Sequence, residues 1–447
     1  MQEKSLESKS GASSFGTKLC YAAGDIGCNF VWTFVSGFLI LYYTDSVGMS
    51  PAFVGTMIFI CRILDGISDI GMGVVIEKTH TRWGKARPWV LFACAPLALS
   101  LILLFNVPSS FSELGKSTYI YITYIFMTVI CYTAVNLPYN AMLPRFSLTP
   151  HDRNVVSAIK GAAVVVAALS ISIITPFLFD IFGGQQNQQT WTNISALYAV
   201  IAIVMLLITF IGVKEKIPPT MDEDGKPAKV PVKKAIHLLL RNKYFYIATG
   251  LFVLFYAMTG IGGITIYFVR DVMGNANLLG LVSAITIFPM LIGIPILPAM
   301  YKKFGKRNVM LTGALVSAVG CALQLINPAN LPLYLAFAIV RGFGSIMFSL
   351  PIFTLASDIV EYDERRHGFR AEGLVTSANS FGIKVGTGLG SAMVGWFLAL
   401  GRYDANAIVQ TQSSLNAMIG VQIVVPLVLS IMLAVLLIFW DMEKKQG

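Results

Sequence analysis

The sequence predicts an all-α integral membrane protein with twelve transmembrane helices, and composition, hydropathy and apolar patterning all support this fold class. Of the 447 residues, 55% are hydrophobic and only 13% are charged, whereas soluble proteins carry about 25% charged residues. The mean hydropathy is +0.70. Such a chain is solvated mostly by lipid, which excludes a cytosolic enzyme, a secreted disulfide scaffold and a disordered protein.

Twelve runs of mostly apolar residues follow one another along the chain, each close to the roughly 20 residues that a transmembrane helix requires. Their limits are 19–43, 51–76, 88–107, 118–142, 157–182, 193–213, 244–270, 277–301, 309–327, 332–358, 371–400 and 415–440. The alternating strands of an outer-membrane barrel are not found in the sequence. The first 18 residues are polar and lack the apolar core of a cleavable signal peptide, so we expect the first span to be retained.

The Lys and Arg residues of the short connections lie almost entirely on the side that carries the N-terminus. The opposite side carries only Lys116, Arg270 and Arg402. Because cytoplasmic loops are enriched in these residues, both termini are predicted to face the cytoplasm. The formal charge of +10 is then an orientation signal, and a nucleic-acid partner is not expected. The six cysteines lie in apolar stretches without a CxxC pair and are expected to act as small hydrophobes.

A long polar connection divides the spans six and six. The predicted parts are a cytoplasmic tail (1–18), a first six-helix bundle (19–213), a cytoplasmic central loop (214–243), a second bundle (244–440) and a cytoplasmic tail (441–447). An aromatic-Gly-Lys turn with flanking basic residues follows the second span of each half, as TRWGKARP and KKFGKRN. Two such turns at corresponding places indicate duplicated bundles, the pattern of the major facilitator fold, with a substrate cavity between the halves near the bilayer midplane.

The second span carries charges that are costly in a membrane. Arg62, Asp65 and Asp69 stand at i, i+3 and i+7 and so share one stripe of the helix. Two carboxylates one turn apart repel each other, and a bound Na⁺ or a proton relieves the repulsion. The Ser68 hydroxyl and nearby carbonyl groups are further oxygen ligands for a cation. The alternative is a structural ion-pair cluster in which Arg62 neutralises one aspartate.

Polar residues in four other spans suit a polyhydroxylated solute. They are Asp25 in span 1, Tyr132, Thr133, Asn136 and Asn140 in span 4, Lys160 in span 5 and Lys384 in span 11. Acidic, basic and amide groups bind sugar hydroxyls, and an aromatic face packs on sugar C–H groups. Lys384 lies among glycines, which permit close helix approach, so we expect it to reach the span 2 pair. Alternatively, the span 4 amides only hydrogen-bond neighbouring helices.

At these positions the chain resembles the glycoside–pentoside–hexuronide:cation symporters, a family that includes the melibiose permease. The resemblance covers essentially the whole chain. Its markers are YAAGD (21–25), YYTD (42–45), RILDGISD (62–69), RWGKARPW (82–89), YTAVNLPY (132–139), SDIVEYDE (357–364) and the Lys384 segment.

The resemblance implies a symporter that imports a sugar with Na⁺, Li⁺ or H⁺ by alternating access. It implies a cation site at Asp65, Asp69 and Thr133, and a sugar site at Asp25, Tyr132 and Lys160. It places Lys384 beside both sites. We expect Lys384 to act in substrate binding and coupling, and Arg62 to act in coupling. It also implies an inner gate, with Asp358 opposite Arg153 or Arg370.

The sequence departs from the melibiose permease at the implied sugar site. Gly24 stands where that permease has a lysine, and Asn136 stands where it has a carboxylate. Asn140 and Ser349 each replace a tryptophan, and Lys160 replaces an arginine. Asn136, Asn140 and Ser349 are retained as candidate substrate contacts, but a galactoside fit is not expected. The spans hold three obvious acids and four bases. The excess of one base over the acids is consistent with an anionic sugar, such as a hexuronide, as the substrate.

Other functions remain open at this level. A carrier of the same fold for a lysolipid or another amphiphile would need an apolar side opening, and an uncoupled sugar facilitator would lack cation dependence. An intramembrane protease needs acids on two adjacent helices, whereas Asp65 and Asp69 lie on the same helix. A channel is not expected either, because the sequence shows no filter-like loop and no ring of charges. The expected partners are a sugar or glycoside, Na⁺ or H⁺ and the lipid bilayer. We expect a monomer in the cell membrane without a cofactor or transition-metal site.

Overall fold

The computed structural model describes residues 13–147, 149–215, 243–349, 351–353, 355, 358–359 and 372–440. Each of the twelve predicted spans overlaps a helix in these ranges, which confirms the all-helical fold class. The helices are α1 (Phe15–Ser46), α2 (Pro51–Lys78), α3 (Arg87–Leu104), α4 (Glu113–Phe146), α5 (Pro150–Phe182), α6 (Gln188–Gly212), α7 (Lys243–Val272), α8 (Leu278–Phe304), α9 (Lys306–Gln324), α10 (Leu331–Ser349), α11 (Glu372–Leu400) and α12 (Gln412–Ile438).

Within the described ranges, nine of these helices are long and apolar enough to cross a membrane. The charged helix α2 is not among the nine, and neither are α8 and α9. Many large apolar side chains point outward; Ile67, Ile181 and Ile211 are 63%, 71% and 71% exposed. An exposed apolar surface of this kind is expected where the solvent is lipid. The chain is therefore a multi-pass membrane protein.

Some helices begin earlier than the apolar pattern predicts, because polar side chains cap them. The Ser14 hydroxyl accepts a hydrogen bond from the Thr17 amide at 3.1 Å, and α1 starts at the next residue. The Thr149 hydroxyl accepts from the Asp152 amide at 3.2 Å, and Pro150 is the first residue of α5. Both arrangements satisfy amides that have no partner inside the helix. Capping therefore extends α5 about two turns before the predicted span.

Several helices contain a wider, π-helical turn. These turns are Tyr42–Ser46 in α1, Phe126–Tyr132 in α4, Phe268–Val272 in α7 and Gly420–Val424 in α12. Such turns are frequent at functional sites because they displace side chains from regular spacing. The turn in α4 ends at Tyr132, immediately before Thr133, so it sets the direction of two predicted site residues.

The chain divides into two compact units, Met1–Gly48 with Leu64–Met221 and Met49–Ile63 with Asp222–Gly447. In the first unit, α1 packs on α5 and α6. In the second, α9 packs on α10 and α12, and α7 packs on α11. The first half of α2 belongs to the second unit, where the Trp396 indole donates a hydrogen bond to the Thr56 hydroxyl at 3.0 Å. The division into bundles 19–213 and 244–440, which was drawn at the central loop, stays a prediction.

The two aromatic-Gly-Lys motifs form turns that use the glycine in the same way. Gly84 has φ +109° and Gly305 has φ +79°, a region that side chains with a Cβ rarely adopt. Each turn leads directly into the next helix of its unit. The repeated motif in the sequence therefore corresponds to a repeated turn in the structure.

An arginine after each of these turns binds the end of a later helix in its own unit. The Arg87 guanidinium donates to the carbonyl of Phe210 in α6. Arg307 donates through Nε to the carbonyl of Leu437 and through Nη2 to that of Ile438, both at 2.9 Å, in α12. A cation is favourable at the C-terminal end of a helix. The equivalent placement of the two arginines supports the predicted internal duplication.

Glu215, which follows α6, ties the start of the central loop to the turn before α3. Its carboxylate accepts hydrogen bonds from the amides of Lys85 at 3.1 Å, Ala86 at 2.8 Å and Arg87 at 2.8 Å. The Arg145 guanidinium lies 3.6 Å from the same carboxylate, whose side chain is 3% exposed. The negative charge therefore compensates the free amides at the N-terminal end of α3.

Candidate functional site

Three of the predicted cation ligands come together in the first unit. The Thr133 hydroxyl on α4 donates a hydrogen bond to Oδ1 of Asp65 on α2 at 3.2 Å. The Ser68 hydroxyl lies 3.5 Å from the Thr133 hydroxyl. Asp65 and Thr133 are both almost fully buried. A carboxylate and two hydroxyl oxygens thus lie together, and two of the three side chains are almost fully buried in the protein.

Local helix geometry places these oxygens. Ser68 folds back one turn and donates to the carbonyl of Asp65 at 2.9 Å. Thr133 follows the π-helical turn, and its hydroxyl is also 3.3 Å from the carbonyl of Thr128. Because a hydroxyl has one proton, Thr133 cannot donate to both acceptors at once and keeps lone pairs for a cation. Oxygen-only ligation with a carboxylate is typical of hard cations.

Two further charged residues of α2 flank this cluster along the helix. Asp69 lies one turn beyond Asp65 and is half-buried. Arg62 lies one turn before Asp65, is 4% exposed and packs in the second unit against α11. A Cβ added at Gly388 would lie 2.8 Å from the Arg62 Cβ, so the absence of a side chain at Gly388 makes room for Arg62. Lys384 lies one turn before Gly388 and is partly buried; its reach to the aspartates stays a prediction.

The predicted sugar ligands of three helices form a second cluster in the first unit. The Lys160 ammonium on α5 lies 3.6 Å from Oδ1 of Asp25 on α1. It donates to Oδ1 of Asn140 on α4 at 2.6 Å. The Asn140 amide in turn donates to the carbonyl of Asn136 at 2.8 Å and to its side-chain oxygen at 3.1 Å. Asn140 therefore contacts the basic residue, and it also bonds to Asn136 within its own helix.

Asp25 owes its place to close packing of α1. A Cβ added at the preceding Gly24 would lie 2.6 Å from the Thr209 hydroxyl and 2.7 Å from the Tyr139 ring, so no side chain fits there. The Asp25 side chain is 6% exposed. Among the described residues, its Oδ2 atom has no hydrogen-bond partner. A buried acceptor without a donor is costly, and a ligand hydroxyl would satisfy it.

Two aromatic residues that contact predicted site residues were not themselves predicted. The ring of Trp32 packs on Tyr132, with centroids 4.8 Å apart and planes tilted by 30°. The Lys160 ammonium lies over the Tyr139 ring at 5.3 Å from its centroid. Trp32 follows Asp25 by seven residues and Tyr139 follows Tyr132 by seven. The two-turn helical repeat, which returns to the same face, is the signal that could have identified both residues.

At the predicted inner gate, Asp358 pairs with a residue that the sequence analysis did not name. The Lys306 ammonium lies 2.8 and 2.9 Å from the two carboxylate oxygens of Asp358. Arg153, in the first unit, donates through Nε to the carbonyl of Ser147 at 2.9 Å. Arg370 lies outside the described residues. The pairing of Asp358 with Arg153 or Arg370 remains a prediction.

Two residues of α10 make contacts inside the second unit. The Ser349 hydroxyl donates to the carbonyl of Ile346 at 3.3 Å, a bond within its own helix. The Arg341 guanidinium donates to the carbonyl of Gln422 at 3.2 Å, in the π-helical turn of α12. The hydrogen bond of Ser349 is local, and its role in substrate binding stays a prediction.

Comparison with known proteins gives a consistent result. A family model described as MFS/sugar transport protein matches residues 20–444. The isoprimeverose transporter of Lactiplantibacillus pentosus is 34% identical over 435 residues, 96% of this chain and 88% of that protein. The putative glycoside/cation symporter YagG of Escherichia coli (strain K12) is 31% identical, and the alignment covers 92% of this chain and 88% of YagG. The solved structure of a bacterial homologue of the human drug peptide transporters PepT1 and PepT2 has a TM-score of 0.69 at 11% identity. The match covers 98% of this chain and 100% of that chain. At that identity the likeness shows only the fold.

Proposed function

The chain belongs to the MFS/sugar transport protein family, which matches residues 20–444, and on this premise we propose that it imports a sugar together with Na⁺ or H⁺ by alternating access. The protein is a sugar transporter of the major facilitator type, a multi-pass protein of the cell membrane and not an enzyme. The coupling of sugar transport to a cation is what we propose.

The topology is part of the proposal. Twelve membrane crossings with both termini in the cytoplasm agree with the distribution of Lys and Arg between the connections. We also propose that a single chain completes the transport cycle, since both candidate sites consist of residues of one chain.

The observation that carries the coupling proposal is the buried contact between Asp65 and Thr133. An ionised carboxylate in a membrane helix is unfavourable unless a partner compensates it. In this proposal Na⁺, Li⁺ or a proton binds at Asp65, with Asp69, Thr133 and Ser68 as further oxygen ligands, since oxygen-only ligation is typical of a hard cation. The cation then enters with the sugar and leaves on the other side of the membrane. The name of one relative, a putative glycoside/cation symporter, agrees with this proposal.

The second cluster is the proposed sugar site. Asp25 accepts hydrogen bonds from sugar hydroxyls, and Lys160, which Asn140 holds in place, donates them. Tyr132 and Trp32 offer an aromatic surface to the sugar ring. Asn136 supports Asn140. Sugar hydroxyls are donors as well as acceptors, so a mixed acidic, basic and amide lining suits them.

The test begins with purified protein in detergent. Thermal shifts are measured against mono-, di- and acidic sugars in NaCl and in choline chloride at two pH values, with lysophosphatidylcholine as the amphiphile. Coupling predicts that the stabilising sugar is also accumulated in proteoliposomes against its gradient when a Na⁺ or H⁺ gradient is imposed.

Asp65→Asn should abolish accumulation while sugar exchange without a gradient persists. Asp404→Asn, a change at an exposed carboxylate, is the matched control. Gradient-driven accumulation by Asp65→Asn at the unmodified level would reject the coupling role. Stabilisation by the lysolipid alone would favour an amphiphile carrier, and sugar uptake without cation dependence would favour a facilitator.

A further inference from the structure

Two pairs of oppositely charged side chains join α1 to α5 in the first unit. The Lys18 ammonium on α1 lies 2.6 Å from Oδ1 of Asp152 on α5. The Asp25 Oδ1 atom on α1 lies 3.6 Å from the Lys160 ammonium on α5. The pairs are about two helical turns apart on both helices, or roughly 11 Å. Their polarity is reversed, because α1 supplies the cation of the first pair and the carboxylate of the second.

The pair of Lys18 with Asp152 is tightly held. The side chains of Lys18 and Asp152 are 13% and 1% exposed. Oδ2 of Asp152 accepts hydrogen bonds from the Ser13 amide at 3.2 Å, the Ser13 hydroxyl at 2.5 Å and the Ser147 hydroxyl at 2.7 Å. Ser13 precedes α1, and Ser147 follows α4. Because hydrogen bonds to an ionised group are strong, this carboxylate ties the first residues of α1 and α5 to the end of α4.

The pair of Asp25 with Lys160 is looser. Its separation of 3.6 Å is longer than a hydrogen bond, and the Lys160 side chain is 25% exposed. A sugar hydroxyl both donates and accepts, so one hydroxyl is able to bridge the carboxylate and the ammonium. Two hydrogen bonds to one oxygen place their outer atoms about 4.5 Å apart or more. A bridging hydroxyl therefore widens this pair by roughly 1 Å.

The widening weakens the attraction between α1 and α5 at the level of the proposed sugar site. The two helices pack directly on each other. If whole helices moved apart, the groups on α4 that share the site would no longer match the sugar, and an error of about 1 Å is costly. A tight link two turns away confines the movement to the side chains of Asp25 and Lys160.

We propose that Lys18 and Asp152 are positioning residues, which keep α1 and α5 in register while the Asp25–Lys160 pair opens to take a sugar hydroxyl. Neither of them contacts the sugar in this proposal. The inference rests on the proposed function, since it concerns how the proposed sugar site is held. It gives the tight pair a role that helix packing alone does not require.

The test compares Lys18→Gln and Asp152→Asn with the unmodified protein. Each variant removes one charge of the tight pair, so the KM for sugar uptake into proteoliposomes should rise about tenfold. The maximal rate should stay within about twofold of the unmodified value. The half-saturating cation concentration should not change, because Asp65 and Thr133 bind each other rather than this pair. Thermal shifts measure the sugar affinity and Tm of the same preparations.

A conservative variant and a double variant separate positioning from stability. Lys18→Arg keeps a cation that pairs well with a carboxylate, so KM should stay near the unmodified value. Lys18→Gln combined with Asp152→Asn should raise KM no further than either change alone, because both remove the same contact. The matched controls are Lys302→Gln and Asp180→Asn, which neutralise exposed residues and should leave KM unchanged.

A lower Tm with an unchanged KM in either charge-removing variant would show that the pair only stabilises the fold, and this result overturns the inference. A rise in KM that Lys18→Arg reproduces overturns it as well. If one variant does not fold, the other decides, since each removes one member of the same pair. These results leave sugar transport intact. If no sugar binds the unmodified protein, the proposed function fails, and the inference with it.

Discussion

The Thr133 hydroxyl on α4 donates a hydrogen bond to the Asp65 carboxylate on α2, with 3.2 Å between the two oxygens. The two residues are 68 positions apart in the chain, and each is almost fully buried. A π-helical turn immediately before Thr133 sets the direction of the hydroxyl. The contact joins two membrane helices through a pair of oxygens, so its loss should affect cation binding more than folding.

We predict that Thr133→Val weakens cation dependence without abolishing transport. Valine has the shape of threonine but no oxygen, and one lost ligand corresponds to about 1 kcal/mol, or roughly a fivefold higher half-saturating Na⁺ or H⁺ concentration. Thr133→Ser, which keeps the hydroxyl, should stay near the unmodified value. Thr118→Val is the control on the same helix, because its hydroxyl is exposed and donates to the carbonyl of Leu114 within the helix. An unchanged cation dependence in Thr133→Val would remove Thr133 from the cation site.

Asn140 is predicted to position Lys160. Asn140→Leu removes the acceptor that lies 2.6 Å from the ammonium, and a hydrogen bond to a charged group is worth about 1.5 kcal/mol. The KM for the sugar should therefore rise about tenfold, with little change in the maximal rate. Asn193→Leu removes a comparable acceptor from an exposed pair with Gln189 and should leave KM unchanged. A structural role alone would instead lower Tm and leave KM as it was.

Gly24 is predicted to tolerate no side chain. A Cβ would lie 2.6 Å from the Thr209 hydroxyl, which is itself held by the carbonyl of Cys20 at 2.7 Å. Overpacking of this kind costs about 1–3 kcal/mol, so Gly24→Ala should lower Tm and shift Asp25, with weaker sugar binding. Gly37→Ala, on the same helix with open space around it, should be neutral or slightly stabilising. Equal melting temperatures for the two variants would contradict the packing.

Glu215 is predicted to stabilise the first unit. Glu215→Gln removes the charge that three amides share, and we expect a loss of about 2 kcal/mol in the free energy of unfolding. Thermal denaturation in detergent measures the effect as a lower Tm. Glu113→Gln, at an exposed position in the first turn of α4, is the control. A Glu215→Gln protein as stable as the control would show that the three hydrogen bonds contribute little.

Much of the site could be predicted from the sequence because charges in membrane helices are rarely without function. Asp25, Asp65 and Lys160 stand out on that ground alone, Asn140 is one of the polar residues of span 4, and the cation role of Thr133 is implied by the family resemblance. Trp32 and Tyr139 were missed because an aromatic residue in an apolar span gives no signal of its own. Lys306 was missed as the partner of Asp358 because a basic residue of a loop is ordinarily only an orientation signal.

The sequence by itself determined the all-helical membrane fold, the order of the spans and the polar residues they carry. These follow from hydropathy and charge, which are local properties of the chain. Only the tertiary structure decided which polar groups meet: Thr133 with Asp65, Asn140 with Lys160, and Glu215 with the turn before α3. Such contacts depend on helix rotation, close packing at glycines such as Gly24 and the π-helical turn in α4. None of these is encoded in the spacing of residues along a single helix, and that is why the linear pattern alone left the partners of these polar groups undecided.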